Sequence, residues 1–130
     1  KKGIALDGER YLEENAKKPN VVTLPSGLQY RVVMQGVGKT PNETSTVEVR
    51  YTVMQVNGTK LEGTAEGETS TFKVNALMPG LKEALLKMSV GSVWELAVPS
   101  PLAYGSHRVG RISPDEALLV NVELVSLVEN

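Results

Sequence analysis

The sequence predicts an α+β domain: a curved antiparallel sheet wrapped around one short helix, with an N-terminal helical segment ahead of it. Three patterns carry that prediction. Val47, Val49, Tyr51 and Val53 alternate with Glu48, Arg50, Thr52 and Met54, the period-two signature of a strand with one apolar face. After Pro79-Gly80 the run LKEALLKM places Leu81, Leu85 and Met88 on one side and Lys82, Glu83 and Lys87 toward the other, as a short amphipathic helix requires. Near the C-terminus Leu118, Val120, Val122 and Leu124 alternate again. A chain of 130 residues supports one such core and is too short for two.

In chain order, GERYLEENAKK over 8–18 is rich in helix formers, with Tyr11, Leu12 and Ala16 at helical spacing and Pro19-Asn20 as its stop. The period then falls to two. Strands are expected over 21–24 and 28–33, separated by the Pro25-Ser26-Gly27 turn, and a loop with two glycines and a proline follows over 36–41. The strand over 47–54 leads into Asn57-Gly58, the pair that type I′ hairpin turns prefer because both central residues need positive φ. Small polar residues make 63–70 a loop before a brief strand over 71–74. Beyond the helix, Gly91 precedes a strand over 93–98 that Pro99 and Pro101 close, and 104–116 reads as a loop before the last strand over 118–127.

Several functions are excluded or disfavoured by composition. Fourteen basic and fifteen acidic residues leave a formal charge of -1, with no clustered positive charge to attract nucleic acid or an anionic membrane. The lack of cysteine removes thiol nucleophiles, disulfides and thiolate metal sites. One histidine, His107, allows neither a multi-histidine metal centre nor a triad choice, and it reads as a loop residue. Carboxylates occur singly at outward strand positions, so paired-carboxylate hydrolysis has little support. No metal or other cofactor is expected. No apolar run approaches the ~20 residues that would span a bilayer as a helix.

The segments LPSGLQYRVV, VEVRYT, NGTKLEG, TFKVNALMPGLKEALLKMSVGSVWELAVPSPLAYG and ISPDEALLVNVELVSL stand in an order that resembles FKBP-type peptidyl-prolyl isomerases. The likeness runs from about residue 24 to residue 127. The LPSGLQY lead-in, Trp94-Glu95 and Arg108-Val109-Gly110 look most like the macrophage infectivity potentiator (Mip) branch of bacteria. The resemblance implies an FKBP-like half-barrel of five or six strands with an apolar pocket between helix and sheet. It divides the chain into a helical connector over 1–20 and an FKBP-like domain over 21–130. The abrupt Lys1-Lys2 start reads as the end of a longer connector, dimerisation being expected through an N-terminal region ahead of it. Mip-like relatives are commonly exported, which implies a periplasmic or exported home.

The resemblance also implies the site. Tyr51 matches a pocket-wall tyrosine, Glu62 the position of the family carboxylate, and Tyr104 the hydroxyl donor to the substrate. Leu61, Phe72, Leu77, Met78, Leu81, Ile112 and Val120 match substrate-binding positions, Met78 through its backbone N–H. Proline-containing polypeptides are the implied partners, and macrolides weak ones. Four positions depart from the family pattern: Leu61-Glu62 stand where Phe-Asp is usual, Leu81 where tryptophan forms the floor, and Val120 where phenylalanine is usual. Three aromatic faces are lost and the acid is a methylene longer, while Trp94 matches a strand position outside the floor. The implied function is a peptidyl-prolyl cis–trans isomerase and folding helper with an atypical, weakened pocket. A non-catalytic peptide-binding or chaperone module on the same fold stays open, as does a scaffold whose function resides in an N-terminal part.

Overall fold

A computed structural model describes residues 3–128; the Lys1-Lys2 start lies outside the described residues. Seven strands form one antiparallel sheet: β1 (Val22–Thr23), β2 (Gln29–Met34), β3 (Thr46–Gln55), β4 (Lys60–Gly63), β5 (Ser70–Lys73), β6 (Val93–Val98) and β7 (Leu118–Val128). Their spatial order is β1-β2-β6-β7-β3-β4, with β5 on the same edge of β3 as β4. Among the described residues there are two α-helices, α1 (Gly3–Asn15) and α2 (Pro79–Leu85). The expected curved sheet around one internal helix is therefore present. The seventh strand, beyond the five or six implied, is the two-residue β1.

The long central pair explains the stability of the sheet. β3 and β7 run in register from Thr46 opposite Val128 to Gln55 opposite Leu118, with one irregularity at Glu48/Val49. Period-two alternation then sends Val47, Val49 and Val53, with Leu118, Val120, Val122 and Leu124, to the inner face, where none is more than 1% exposed. Leu81, Ala84, Leu85 and Met88 of the α2 region cover that face. Burying each of the larger side chains contributes about 1.5–3 kcal/mol. On the outer face Arg31 pairs with Glu95 at 2.8 Å and Arg50 with Glu123 at 3.1 Å. There, hydroxyl donation from Thr69 at 2.6 Å and Ser126 at 2.7 Å holds the Glu48 carboxyl below the usual carboxylate range.

The structure corrects two local expectations. The N-terminal helix runs from Gly3 to Asn15 rather than over 8–18, and Gly8 is in its middle and buried. A Cβ at Gly8 would sit 2.9 Å from Ala117 Cβ, so glycine is what lets the helix approach the domain. The helix is tied down further by Gln29, whose amide donates to Leu12 O at 2.9 Å and accepts from Asn15 at 2.8 Å. These contacts outweigh the propensity pattern, and the chain leaves through turns to Asn20, at φ 68°.

The Asn57-Gly58 turn is also not type I′. Only Gly58 has positive φ, at 91°. Gly58 N–H donates to Gln55 O and Gln55 N–H to Thr59 O, both at 2.8 Å, which defines a three-residue hairpin loop ending in a left-handed glycine. Asn57 Oδ1 accepts the Thr59 N–H at 2.9 Å, an alternative that asparagine offers to the primed turn. Elsewhere the strand bounds fall within one residue of the expected ones, and α2 begins at Pro79 and ends at Leu85, with Met88 in the turns that follow.

Candidate functional site

Five parts of the chain converge above the N-terminal end of α2. β3 contributes Tyr51 and Val53 from its inner face, and β4 contributes Glu62, the cross-strand partner of Val53. β5 contributes Phe72, paired with Val47. The β5-to-α2 link, a 3-10 turn over Val74–Ala76, leads through Leu77, Met78 and Pro79 to Leu81. A second 3-10 turn, Ser100–Leu102, delivers Ala103 and Tyr104. Together these enclose a cavity of ≈ 360 Å³.

The local structure shows why the side chains are held. β5 pairs with residues 46–49 of β3 and β4 with residues 52–54, which leaves a gap at Arg50 and Tyr51. Thr64 closes it: its hydroxyl accepts the Tyr51 N–H at 3.0 Å, and its N–H donates to Tyr51 O at 2.9 Å. The Tyr51 and Phe72 rings meet edge to face with centroids 5.7 Å apart, a geometry aromatic pairs prefer. Tyr104 is fixed by its neighbours, since Gly105 N–H donates to Ser100 O at 2.8 Å and His107 N–H to Tyr104 O at 3.1 Å. Pro79 occupies the first helical turn, where a missing N–H costs nothing.

Of the ten residues that the sequence singled out, seven line this cavity: Tyr51, Glu62, Phe72, Leu77, Met78, Leu81 and Tyr104. The other three lie outside the lining. Leu61 is half-buried against the core, Ile112 is core, and Val120 is fully buried opposite Val53, too short to reach past it. Val53, Ala76, Pro79 and Ala103 line the cavity without having been singled out. Val53 was legible, because two residues along a strand return to the face of Tyr51. Ala76 and Ala103 carry no sequence signal; they are brought in by the 3-10 turns. Trp94 is away from the cavity, stacked on Tyr30 with centroids 4.1 Å apart.

Electrostatics favours neutral phenols. Burial first, then the nearby Glu62 and Tyr104, raises the Tyr51 pKa above its ordinary value. Burial and then Glu62 raise that of Tyr104. Both hydroxyls are therefore protonated donors at neutral pH, beside one carboxylate. The described residues contain no cluster of three or more histidine, cysteine or acidic side chains able to hold a metal ion. An apolar floor with two hydroxyls and one carboxylate can exclude water and orient an amide. Larger hollows of ≈ 530 and ≈ 770 Å³ lie against α1, one walled by the paired Arg31 and Glu95 and one by Gly8 and Ala117, where the helix docks on the domain.

Comparison with known proteins bears on family and fold. Residues 38–125 match the FKBP-type peptidyl-prolyl cis-trans isomerase family, and residues 2–32 match the domain amino terminal to such isomerases. The chain is 46% identical over 127 residues to the FKBP-type 22 kDa peptidyl-prolyl cis-trans isomerase of Escherichia coli, covering 96% of this chain and 62% of that protein. It is 43% identical to the outer membrane protein MIP of Legionella longbeachae, covering 92% of this chain and 52% of that one. The crystal structure of FkpA from Escherichia coli superposes with a TM-score of 0.91 at 33% identity, over 95% of this chain and 59% of FkpA. The chain thus spans between half and two thirds of the length of these relatives. A family match across most of the residues, a relative at nearly half identity and the same fold lead to one assignment: this chain belongs to the FKBP-type peptidyl-prolyl cis-trans isomerase family.

Proposed function

We propose that this chain catalyses cis–trans isomerisation of Xaa-Pro bonds in polypeptides. The observation that carries the reading is the convergence of Tyr51, Glu62, Phe72, Met78, Leu81 and Tyr104 on one half-open, largely apolar cavity in a chain of this family. Amide resonance sets a barrier of about 18–20 kcal/mol, and rotation crosses it without making or breaking a bond. The enzyme's task is to bind the twisted imide better than the planar one. In the proposed arrangement the proline ring sits on Leu81 and Met78 against the Tyr51–Phe72 wall. Water is excluded there, so the imide nitrogen gains lone-pair character in a medium that favours the less polar twisted state. The Tyr104 hydroxyl donates to a peptide carbonyl, the Met78 N–H to another, and Glu62 orients the Tyr51 and Tyr104 hydroxyls.

The departures from the family pattern tune this reading rather than replace it. An aliphatic Leu81 floor gives a proline ring less contact than an aromatic one, and the aromatics that line the cavity are Tyr51, Phe72 and Tyr104. The proposed enzyme therefore binds proline ligands and macrolides weakly and turns over slowly. Residues 1–20 are the proposed connector. A non-catalytic peptide-binding module is the second reading, favoured by that same Leu81 floor.

Two outcomes test the assignment. Tyr104→Phe is expected to lower kcat/KM for a proline tetrapeptide about three- to tenfold, the worth of one hydrogen bond of roughly 0.5–1.5 kcal/mol, while leaving the melting temperature nearly unchanged. An isomerisation rate equal to that of the unaltered chain would remove Tyr104 from the site, and no catalysis by the unaltered chain would favour the binding module. The second outcome concerns pH. Because the Tyr104 pKa is raised, its hydroxyl stays protonated up to and beyond the ordinary tyrosine value near 10. The rate should be flat from about pH 6 to 9 and fall only on the alkaline side. Stability follows the same sign: the contribution of the raised phenol is complete below the unfolded pKa and is lost as pH rises through the folded one. A pH profile with an inflection near neutrality would assign the rate to a different group.

A further inference from the structure

We infer that the β2 end and the loop after it form a second polypeptide-binding surface, one that holds extended apolar segments of unfolded chains away from the catalytic cavity. Val33, Met34 and Val37 are 49%, 60% and 99% exposed, and the run from Val32 to Gly38 carries no charge. Isolated surface valines need no explanation, but this group is held outward by three separate features of the backbone. The β2–β6 register shifts between Val32 and Met34, so Val33 is an extra residue in the strand, the arrangement by which a bulge re-aims side chains. Gly36 donates its N–H to Ser92 Oγ at 2.9 Å, and a Cβ there would run into Val90 O and Ser92 N. Gly38 donates to Val90 O at 3.1 Å, and its Cβ would meet Val90 Cβ at 2.6 Å. With both flanking glycines pressed on the Val90–Ser92 backbone, Val37 has nowhere to fold inward.

The occupant follows from size and charge. Three side chains fall well short of the ~800 Å² per partner that a stable complex needs, so a permanent dimer is disfavoured and a transient contact fits. An uncharged run, flanked by Arg31 and Lys39, selects by apolarity rather than by sequence. The bulge at Val33 also blunts the strand edge, which leaves side-chain contact rather than strand addition as the mode of binding. An unfolded apolar segment meets all three conditions. The surface is anchored on Val90 and Ser92, which follow α2 in the chain, whereas the catalytic cavity is lined by Pro79 and Leu81 at the start of that helix. A client held at one end would raise the local concentration of its own prolines at the other. That last consequence rests on the proposed isomerase reading; the binding surface does not.

The test is the double variant Met34→Ser/Val37→Ser, with both positions exposed and away from the cavity. Fluorescence anisotropy of a labelled, permanently unfolded, proline-free polypeptide is expected to show affinity weakened about tenfold, the worth of two apolar contacts. Isomerisation of a short proline tetrapeptide should be unchanged, and acceleration of proline-limited refolding of a protein should fall. Unchanged affinity for the unfolded chain overturns the inference. So does sedimentation showing a dimer of the unaltered chain that the substitutions dissolve, or selective loss of binding to anionic vesicles, because either would assign the surface to another occupant. Absence of tetrapeptide catalysis in both proteins, with the loss of unfolded-chain binding intact, would overturn the isomerase reading and leave this one standing.

Discussion

Gly63→Ala is expected to lower both stability and catalysis, the first by about 2–4 kcal/mol and the second by roughly 10²-fold. Gly63 is the last residue of β4, and a Cβ there would lie 2.7 Å from Tyr51 O and 3.2 Å from Thr52 Cα. Both atoms belong to the backbone of β3, which β7 fixes along its whole length, so neither can give way. β4 must therefore move off β3. The Thr52–Gly63 and Val53–Glu62 pairings weaken, and the Thr64 closure of the Tyr51 peptide is strained with them. Glu62 then shifts relative to the two phenols it faces, and a displacement of about 1 Å is enough to cost ~10²-fold in a positioned site. Thermal unfolding and tetrapeptide isomerisation, measured on the same preparation, check the two effects together. A variant that melts like the unaltered chain would show that β4 is not pressed on β3. One that loses stability but keeps its rate would remove the Glu62 strand from catalysis.

Leu81→Trp is expected to act in the opposite direction, raising kcat/KM and tightening macrolide binding by about tenfold or more. Leu81 is 4% exposed and lines the cavity from α2, under the Tyr51–Phe72 pair. An indole at that position offers a flat face of the kind a proline ring packs on, and a cavity of ≈ 360 Å³ has room for the added atoms. The balance is against overpacking, which costs about 1–3 kcal/mol when a core has no space to yield. Because Leu81 borders the cavity as well as the core around Leu85, the added volume can enter open space, and the stability change should be small. Titration with a rapamycin-class macrolide, followed by indole fluorescence, reads the affinity; Trp94 supplies a constant background because it is outside the cavity. Unchanged or weaker binding would show that the aliphatic floor is not what limits this pocket.

How much of this was written in the chain can be judged element by element. The alternation around Val47 and Leu118 was sufficient to place β3 and β7 within one residue, because one face of each strand is buried and a register slip would turn every side chain over. The face of α2 was equally legible, since Leu81, Leu85 and Met88 have no other way to be buried together. Family likeness then named seven of the eleven residues that line the cavity. Local signals failed where a distant residue decided the outcome. Nothing near Gly8 shows that it presses on Ala117, so the helix bounds were misplaced. The miss at Asn57-Gly58 was local instead: the pair favours a primed turn in isolation, but the hydrogen bond from Thr59 N–H to Asn57 Oδ1 goes with another.

The sequence by itself determined the periodicities, and through them the curved sheet, the helix that fills it and the identity of its buried faces, because burial of apolar side chains depends only on which positions share a face. Tertiary structure decided the rest. The cavity exists because two 3-10 turns from distant parts of the chain bring Met78 and Tyr104 over the Tyr51–Phe72 wall, and burial there, then Glu62 from a third strand, raises the pKa of both its phenols. The outward Val37 likewise depends on Val90 and Ser92, more than fifty residues away along the chain. Such contacts join residues with no local relation, so their energies appear only once the chain has closed on itself.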